Sequence, residues 1–185
     1  MKSGFAGIVG RPNVGKSTLM NALVGEKVAI TSSKAQTTRN AIRGIYTDDE
    51  YQIVFIDTPG IHKPKNKLGE YLTGTALSTF NEVDVILFLT DGPLSAGPGD
   101  RYILELLRKV KNTPKLLIIN KIDLIEPDKF RQIYEEYDAE GVFDNILGVS
   151  ALQEQNTGVC LEKIKPYIKE GPMYFPKDMF TDNPM

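Results

Sequence analysis

The sequence predicts a three-layer α/β domain, with a mostly parallel sheet, helices on both faces and one antiparallel edge strand. Three observations carry that. The stretch Gly10 to Ser17 has the spacing G-x-x-x-x-G-K-S and lies between an apolar run, Phe5 to Val9, and a short helical stretch from Thr18 that ends at Gly25. From Val83 onward, apolar runs alternate with amphipathic segments, the pattern of strand–helix–strand units whose crossovers make neighbouring strands parallel. Two further apolar runs, Ala41 to Tyr46 and Gln52 to Asp57, flank the turn residues Asp48-Asp49-Glu50 and read as a hairpin, which supplies the antiparallel strand.

The elements follow in order. After the first helix, Glu26 to Asn40 is polar and without a clear period, a long loop. The hairpin's second strand ends in Asp57-Thr58-Pro59-Gly60, followed by a basic, glycine-containing segment from Ile61 to Gly69. Tyr71, Leu72, Ala76, Leu77 and Phe80 give Glu70 to Asn81 a helical stripe. Val83 to Thr90 is a strand, Gly99 to Lys111 a helix, Lys115 to Asn120 a strand, Asp128 to Ala139 a helix, Asn145 to Ser150 a strand and Gly158 to Lys169 a last helix. The tail, Gly171 to Met185, has three prolines and no helical period, so residues 1–170 read as the domain and 171–185 as a linker toward something further.

With 185 residues, 41% hydrophobic and 25% charged, the chain suits one compact domain. A formal net charge of −2 excludes a global basic field, so any polyanion site is local. The single cysteine, Cys160, excludes an internal disulfide and a cysteine metal cluster, and points to a reducing compartment. No apolar run is long enough to span a bilayer, and Met1-Lys2-Ser3-Gly4 leads directly into a strand; the expectation is a soluble, intracellular protein.

Each polar cluster follows an apolar strand, at the sheet edge where ligands of such folds bind. The Gly10 to Ser17 loop suits a polyphosphate, because its glycines let successive N–H groups face inward and the helix start adds partial positive charge. Lys16 would reach the terminal phosphates, and the Ser17 hydroxyl would be a magnesium ligand. Asp57, at the end of a buried strand, needs a cation; magnesium held through water is the natural one, with the Gly60 N–H offered to the γ-phosphate. In Asn120-Lys121-Ile122-Asp123, the Asp123 carboxylate can accept from guanine N1–H and the exocyclic amine together, a pair that adenine lacks. Asn120 would fix the loop or bond N7, the Lys121 stem would cover the base, and Ser150-Ala151 would offer a backbone N–H to O6.

The ordered set Gly10-Arg11-Pro12-Asn13-Val14-Gly15-Lys16-Ser17, Gln36-Thr37-Thr38-Arg39-Asn40, Asp57-Thr58-Pro59-Gly60-Ile61, Asn120-Lys121-Ile122-Asp123 and Ser150-Ala151 resembles the translation-factor-related GTPases, and within them the bacterial Era family. Ala35, the run His62-Lys63-Pro64-Lys65, and Tyr174-Phe175-Pro176 with Thr181-Asp182 are also Era-like, and the resemblance covers essentially the whole chain. It implies a P-loop NTPase fold of the small-GTPase kind that binds GTP or GDP with Mg2+ and hydrolyses GTP. The nucleotide site would comprise the loop with Thr18, Asp57 to Ile61, Asn120, Lys121, Asp123, Ser150 and Ala151. Thr38 would join Ser17 and Asp57 around the metal, and the stretches around 30–40 and 60–70 would be the switches. It further implies a role in small-subunit assembly on 16S rRNA through a KH domain beyond this chain. A cytoplasmic setting with peripheral membrane association is implied as well. The chain on its own is expected to be monomeric.

Ile61 stands where many small GTPases have a water-orienting glutamine, so Lys16, Thr38 and Gly60 need help with developing charge. Asn13 either shapes the loop or, as in potassium-activated relatives, helps hold K+ against the phosphates. The rival reading is a switch module that binds guanine nucleotide with negligible turnover unless a partner is present. His62 reads as an exposed switch residue rather than a base, and Lys63, Lys65 and Lys67 as a solvated loop.

Overall fold

The computed structural model describes residues 1–24, 41–58, 78–93, 95–172 and 174. The expected loop Glu26–Asn40, the basic segment Ile61–Gly69, most of the helix Glu70–Asn81 and nearly all of the tail lie outside these residues, as do Thr38, Pro59, Gly60 and Ile61. The elements are β1 (Lys2–Val9), α1 (Lys16–Val24), β2 (Ala41–Thr47), β3 (Tyr51–Asp57), β4 (Val85–Asp91), α2 (Pro98–Arg108), β5 (Lys115–Asn120), α3 (Pro127–Ala139), β6 (Asn145–Gly148) and α4 (Thr157–Ile164). Residues 78–82 are helical as well.

The described strands form one sheet in the order β2-β3-β1-β4-β5-β6. Every pairing is parallel except β2 with β3, so the hairpin supplies the antiparallel edge. β1 sits between β3 and β4, where the chain order reverses and two crossovers part to leave a crevice above the strand ends. Because both faces are covered, β4 and β5 are buried along their whole length. On one face Leu19, Leu23, Cys160 and Ile164 from α1 and α4 pack on Ile8, Phe55, Leu87 and Ile118. On the other, Ile103, Leu107, Ile133 and Tyr137 from α2 and α3 meet Val54, Ile86, Phe88 and Leu117. Cys160 is fully buried, and desolvation pushes its thiol up to about 12. No helix among the described residues is long and apolar enough to cross a membrane.

Boundaries depart from the sequence pattern where a side chain intervenes. β4 starts at Val85 rather than Val83, because the Asp84 carboxylate accepts the Phe5 N–H at 2.8 Å. The last helix, expected to reach Lys169, ends at Ile164 and tightens into a 3-10 turn over Lys165–Tyr167. Pro166 lacks the N–H an α-helix would use there. The chain then runs back along β1: Ser3 N–H donates to the Lys169 carbonyl at 3.0 Å, Gly171 N–H to the Met1 carbonyl at 3.3 Å, and the Tyr174 ring lies 4.9 Å from that of Phe5.

The hairpin turn is tied to this end of the domain. Asp48 accepts the N–H groups of Glu50 and Tyr51 at 2.8 and 2.7 Å and the Tyr46 hydroxyl at 2.8 Å. Lys165 comes to 3.2 Å from Asp48 and lies over the Tyr51 and Tyr46 rings. Burial alone would raise the Asp48 carboxyl, but these donors outweigh it and hold the group at about 2 rather than 3.8. A depressed acid stabilises the fold above its ordinary value and loses that contribution as pH falls through the folded one. Asp48→Asn should therefore cost about 1 kcal/mol at neutral pH, and the gap should close between pH 3.8 and about 2. Thermal melts of both proteins across that range would show it, and a pH-independent gap would assign the effect to packing.

Candidate functional site

Four strands deliver the expected residues to one edge of the sheet. The phosphate loop leaves β1 at Val9 and turns tightly: a Cβ on Gly10 would stand 2.7 Å from the Leu89 carbonyl, so the backbone needs glycine there. Asn13 and Gly15 have positive φ, at 69° and 98°. Val14 is fully buried and plugs the loop into the core. α1 then begins at Lys16, with no acidic residue in its first turn to compete for an anion. Pro12, Asn13, Ser17 and Thr18 are exposed.

One side chain joins this loop to the base-reading loop. Asn120, buried at the end of β5, donates from Nδ2 to the Val14 carbonyl at 2.9 Å and accepts the Ala151 N–H on Oδ1 at 3.0 Å. It occupies the space a Cβ on Gly15 would need, so that glycine is required by contact as well as by φ. Of the two roles left open for Asn120, the structure shows loop fixing. The O6 donor expected from Ser150-Ala151 is altered by the same bonds: Ser150 N–H goes to the Gln155 carbonyl at 3.0 Å and Ala151 N–H to Asn120. A base oxygen would share the Ala151 donor in a three-centre bond.

Lys121 adopts φ 61°, unusual for a side chain of this size, and reaches back to the Asn13 carbonyl at 2.8 Å and to Asp91 at 3.4 Å. Its stem thus spans from the base loop to the phosphate loop. Asp123 sits in a 3-10 turn, Ile122–Leu124. Gly15, Thr18, Asn120, Lys121, Asp123 and Ser150 line a cavity of about 230 Å3 that Leu124 and Leu152 complete. Both leucines are strongly exposed, at 64% and 77%, and give the cavity apolar lining that a flat ligand could cover. They were missed in the sequence; an apolar residue directly after each polar motif is the signal that could have found them. A larger groove of about 1060 Å3 lies between α3 and residues 148–156. It shares Asp123 but has no phosphate-loop residue, so the smaller cavity is the one continuous with the loop.

Arg11, counted with the loop, is committed elsewhere. Its guanidinium bonds Asp91 at 3.0 Å and Asp100 at 3.2 Å, so what it can offer a phosphate is its backbone. Asp100 is fully buried and also accepts the Thr90 hydroxyl at 2.7 Å and the Ala96 N–H at 3.0 Å. Burial still pushes its carboxyl above the ordinary value, against those donors and Arg11. Neither aspartate was expected at the site.

The third cluster is Asp57 with Thr58. Thr58 bonds Asp57 Oδ1 through its N–H at 2.9 Å and the Ile8 carbonyl through its hydroxyl at 2.8 Å, which orients the carboxylate beside β1. Lys16 Nζ stands 3.5 Å from Oδ1 and Arg43 Nε 3.4 Å from Oδ2. A half-buried carboxylate drawing two cations, beside the hydroxyl-bearing first turn of α1, is a hard-oxygen donor set suited to Mg2+. Among the described residues there is no group of three or more acidic, histidine or cysteine side chains placed to hold a metal.

Residues 5–121 match the family model described as 50S ribosome-binding GTPase. The chain is similar to GTPase Era of Clostridioides difficile (strain 630), 58% identical over 99% of this chain and 62% of the relative, so it spans about three fifths of the length of such relatives. The fold is similar to Aquifex aeolicus Era bound to GDP.AlF4-, with TM-score 0.80 and 40% identity over 100% of this chain and 63% of that one. It is equally similar to Era in complex with MgGDPNP and nucleotides 1506–1542 of 16S ribosomal RNA, with TM-score 0.81 and 41% identity over 100% and 63%.

Asn120→Ala removes two buried hydrogen bonds and opens the space behind Gly15. It should cost about 2–3 kcal/mol, a Tm lower by about 5–10 °C in calorimetry without ligand. An unchanged Tm would mean the amide does not hold the loops together.

Proposed function

The chain belongs to the 50S ribosome-binding GTPase family, and on that premise we propose that it binds GTP and GDP with magnesium and hydrolyses GTP to GDP and phosphate. The observation that carries this is the Asn120 amide, which binds phosphate loop and base loop into one crevice with Asp123 beside it. Asp123 accepts guanine's two adjacent donors, while Leu124 and Leu152 take the base faces and the Lys121 stem closes the pocket. Lys16 and the loop N–H groups, with Gly60, hold the β- and γ-phosphates. Ser17 and Asp57, with Thr38, are the residues to hold magnesium, which when bound supplies positive charge to the phosphate oxygens.

Likeness to the Era complex with 16S ribosomal RNA supports an association with that RNA, and from the motif resemblance we assign the chain a role in small-subunit assembly with the RNA contact made by a KH domain. A cytoplasmic setting with peripheral membrane association, and a monomeric state for this domain by itself, are proposed from the Era-like motifs alone. Hydrolysis in the absence of a glutamine at Ile61 is assigned to a potassium ion held with help from Asn13, whose exposed side chain and positive φ leave it at the loop surface.

The base assignment is tested by Asp123→Asn, which exchanges an acceptor for a donor. GTP affinity should fall about 100-fold or more while xanthosine triphosphate affinity rises, measured by competition against a fluorescent GDP derivative. Unchanged preference for GTP would remove Asp123 from the site. For turnover, single-turnover phosphate release should be about tenfold faster in potassium than in sodium at equal ionic strength, with the difference lost in Asn13→Ala. Equal rates in the two salts would return the missing charge to a partner and leave the chain a binding switch on its own.

A further inference from the structure

Arg43 belongs to none of the motifs, yet the fold aims it at the magnesium carboxylate. The β2–β3 ladder is regular from Thr47 to Gly44, skips Arg43, and resumes with Ile42 opposite Ile56 and Ala41 opposite Asp57. Arg43 is thus the extra residue of a β-bulge, a device that re-aims a side chain, and its Nε lies 3.4 Å from Asp57 Oδ2. That nitrogen is buried and makes no hydrogen bond. A desolvated guanidinium N–H without an acceptor is unfavourable, so charge and not bond geometry holds it there. Oδ1 of the same carboxylate is already taken by the Thr58 N–H at 2.9 Å and faces Lys16 at 3.5 Å, which leaves Oδ2, on Arg43's side, as the oxygen open to a metal's water.

We propose that Arg43 is an internal counter-cation of Asp57 that competes with the divalent metal: it neutralises the carboxylate when magnesium is absent and must yield it when magnesium arrives. The inference rests on the reading of Asp57 as a magnesium residue. Two ligands for one carboxylate oppose each other by the same factor in both directions, so Arg43 weakens magnesium binding and magnesium releases Arg43. A metal held by Ser17 and Asp57 would supply positive charge to the nucleotide's phosphates, so an arginine that favours the metal-free state would also favour GDP release. Arg43 is a positioning residue here, acting through Asp57.

The test uses the release rate of fluorescent GDP as buffered free Mg2+ is varied, which yields an apparent metal affinity without any hydrolysis. Arg43→Ala and the neutral, polar Arg43→Gln should bind Mg2+ about three- to tenfold more tightly than the wild type and release GDP more slowly at limiting metal. Arg43→Lys should stay near the wild type, and in an Asp57→Asn background the Arg43 substitutions should change nothing. Unchanged or weakened Mg2+ affinity in Arg43→Ala and Arg43→Gln, with GDP still bound at saturating metal, would overturn the competition and leave Arg43 as a support for Asp57. Failure of the wild type to hold fluorescent GDP at saturating metal would overturn both this inference and the reading beneath it.

Discussion

A single buried carboxamide organises the crevice. Asn120 ends β5, bonds the carbonyl of Val14 after β1 and takes the N–H of Ala151 after β6, so three strand ends are held by one side chain. Residues that look independent along the chain follow from it. Gly15 must lack a Cβ because the amide fills that volume. Lys121 takes a left-handed backbone directly after it, which sends its ammonium back to Asn13. Asp123 is placed two residues further on, in the turn this geometry starts.

Around that point the charges are arranged in two groups with different jobs. Asp91 and Asp100 are almost wholly removed from water and stay tolerable because Arg11, Lys121, Thr90 and Ala96 face them. They brace the phosphate loop against β4 and α2. Asp57 is only half-buried, and its two cations stand at 3.4 and 3.5 Å, too far for good hydrogen bonds. The first group is finished as it stands, whereas the second is poised to exchange partners.

The fold was legible because it is written in local periodicity: alternation of apolar runs and amphipathic segments, the Asp48-Asp49-Glu50 turn, and polar motifs placed directly after strands. The motif residues were legible as types at a spacing, and Asn120, Lys121, Asp123, Ser150, Asp57 and the loop do converge. What stayed hidden depends on contacts far apart in sequence. Arg11 meets partners 80 and 89 residues away, and no local pattern says whether its guanidinium turns toward a phosphate or an aspartate. The bulge that redirects Arg43 is a property of the strand pair and not of either strand. The end of α4 shifted for the same kind of reason, since Pro166 was visible but the 3-10 turn it occupies just beyond the helix was not.

Cys160, packed between α4 and the sheet with its thiol held near 12, gives the molecule a chemical silence. The thiolate is the reactive form, so in the native state alkylating and maleimide reagents find nothing to attack. A cysteine installed anywhere on the surface would therefore carry a dye or spin label alone, without removal of the natural one. Modification of Cys160 itself then marks opening of the α1–α4 face, a built-in reporter of that local breathing.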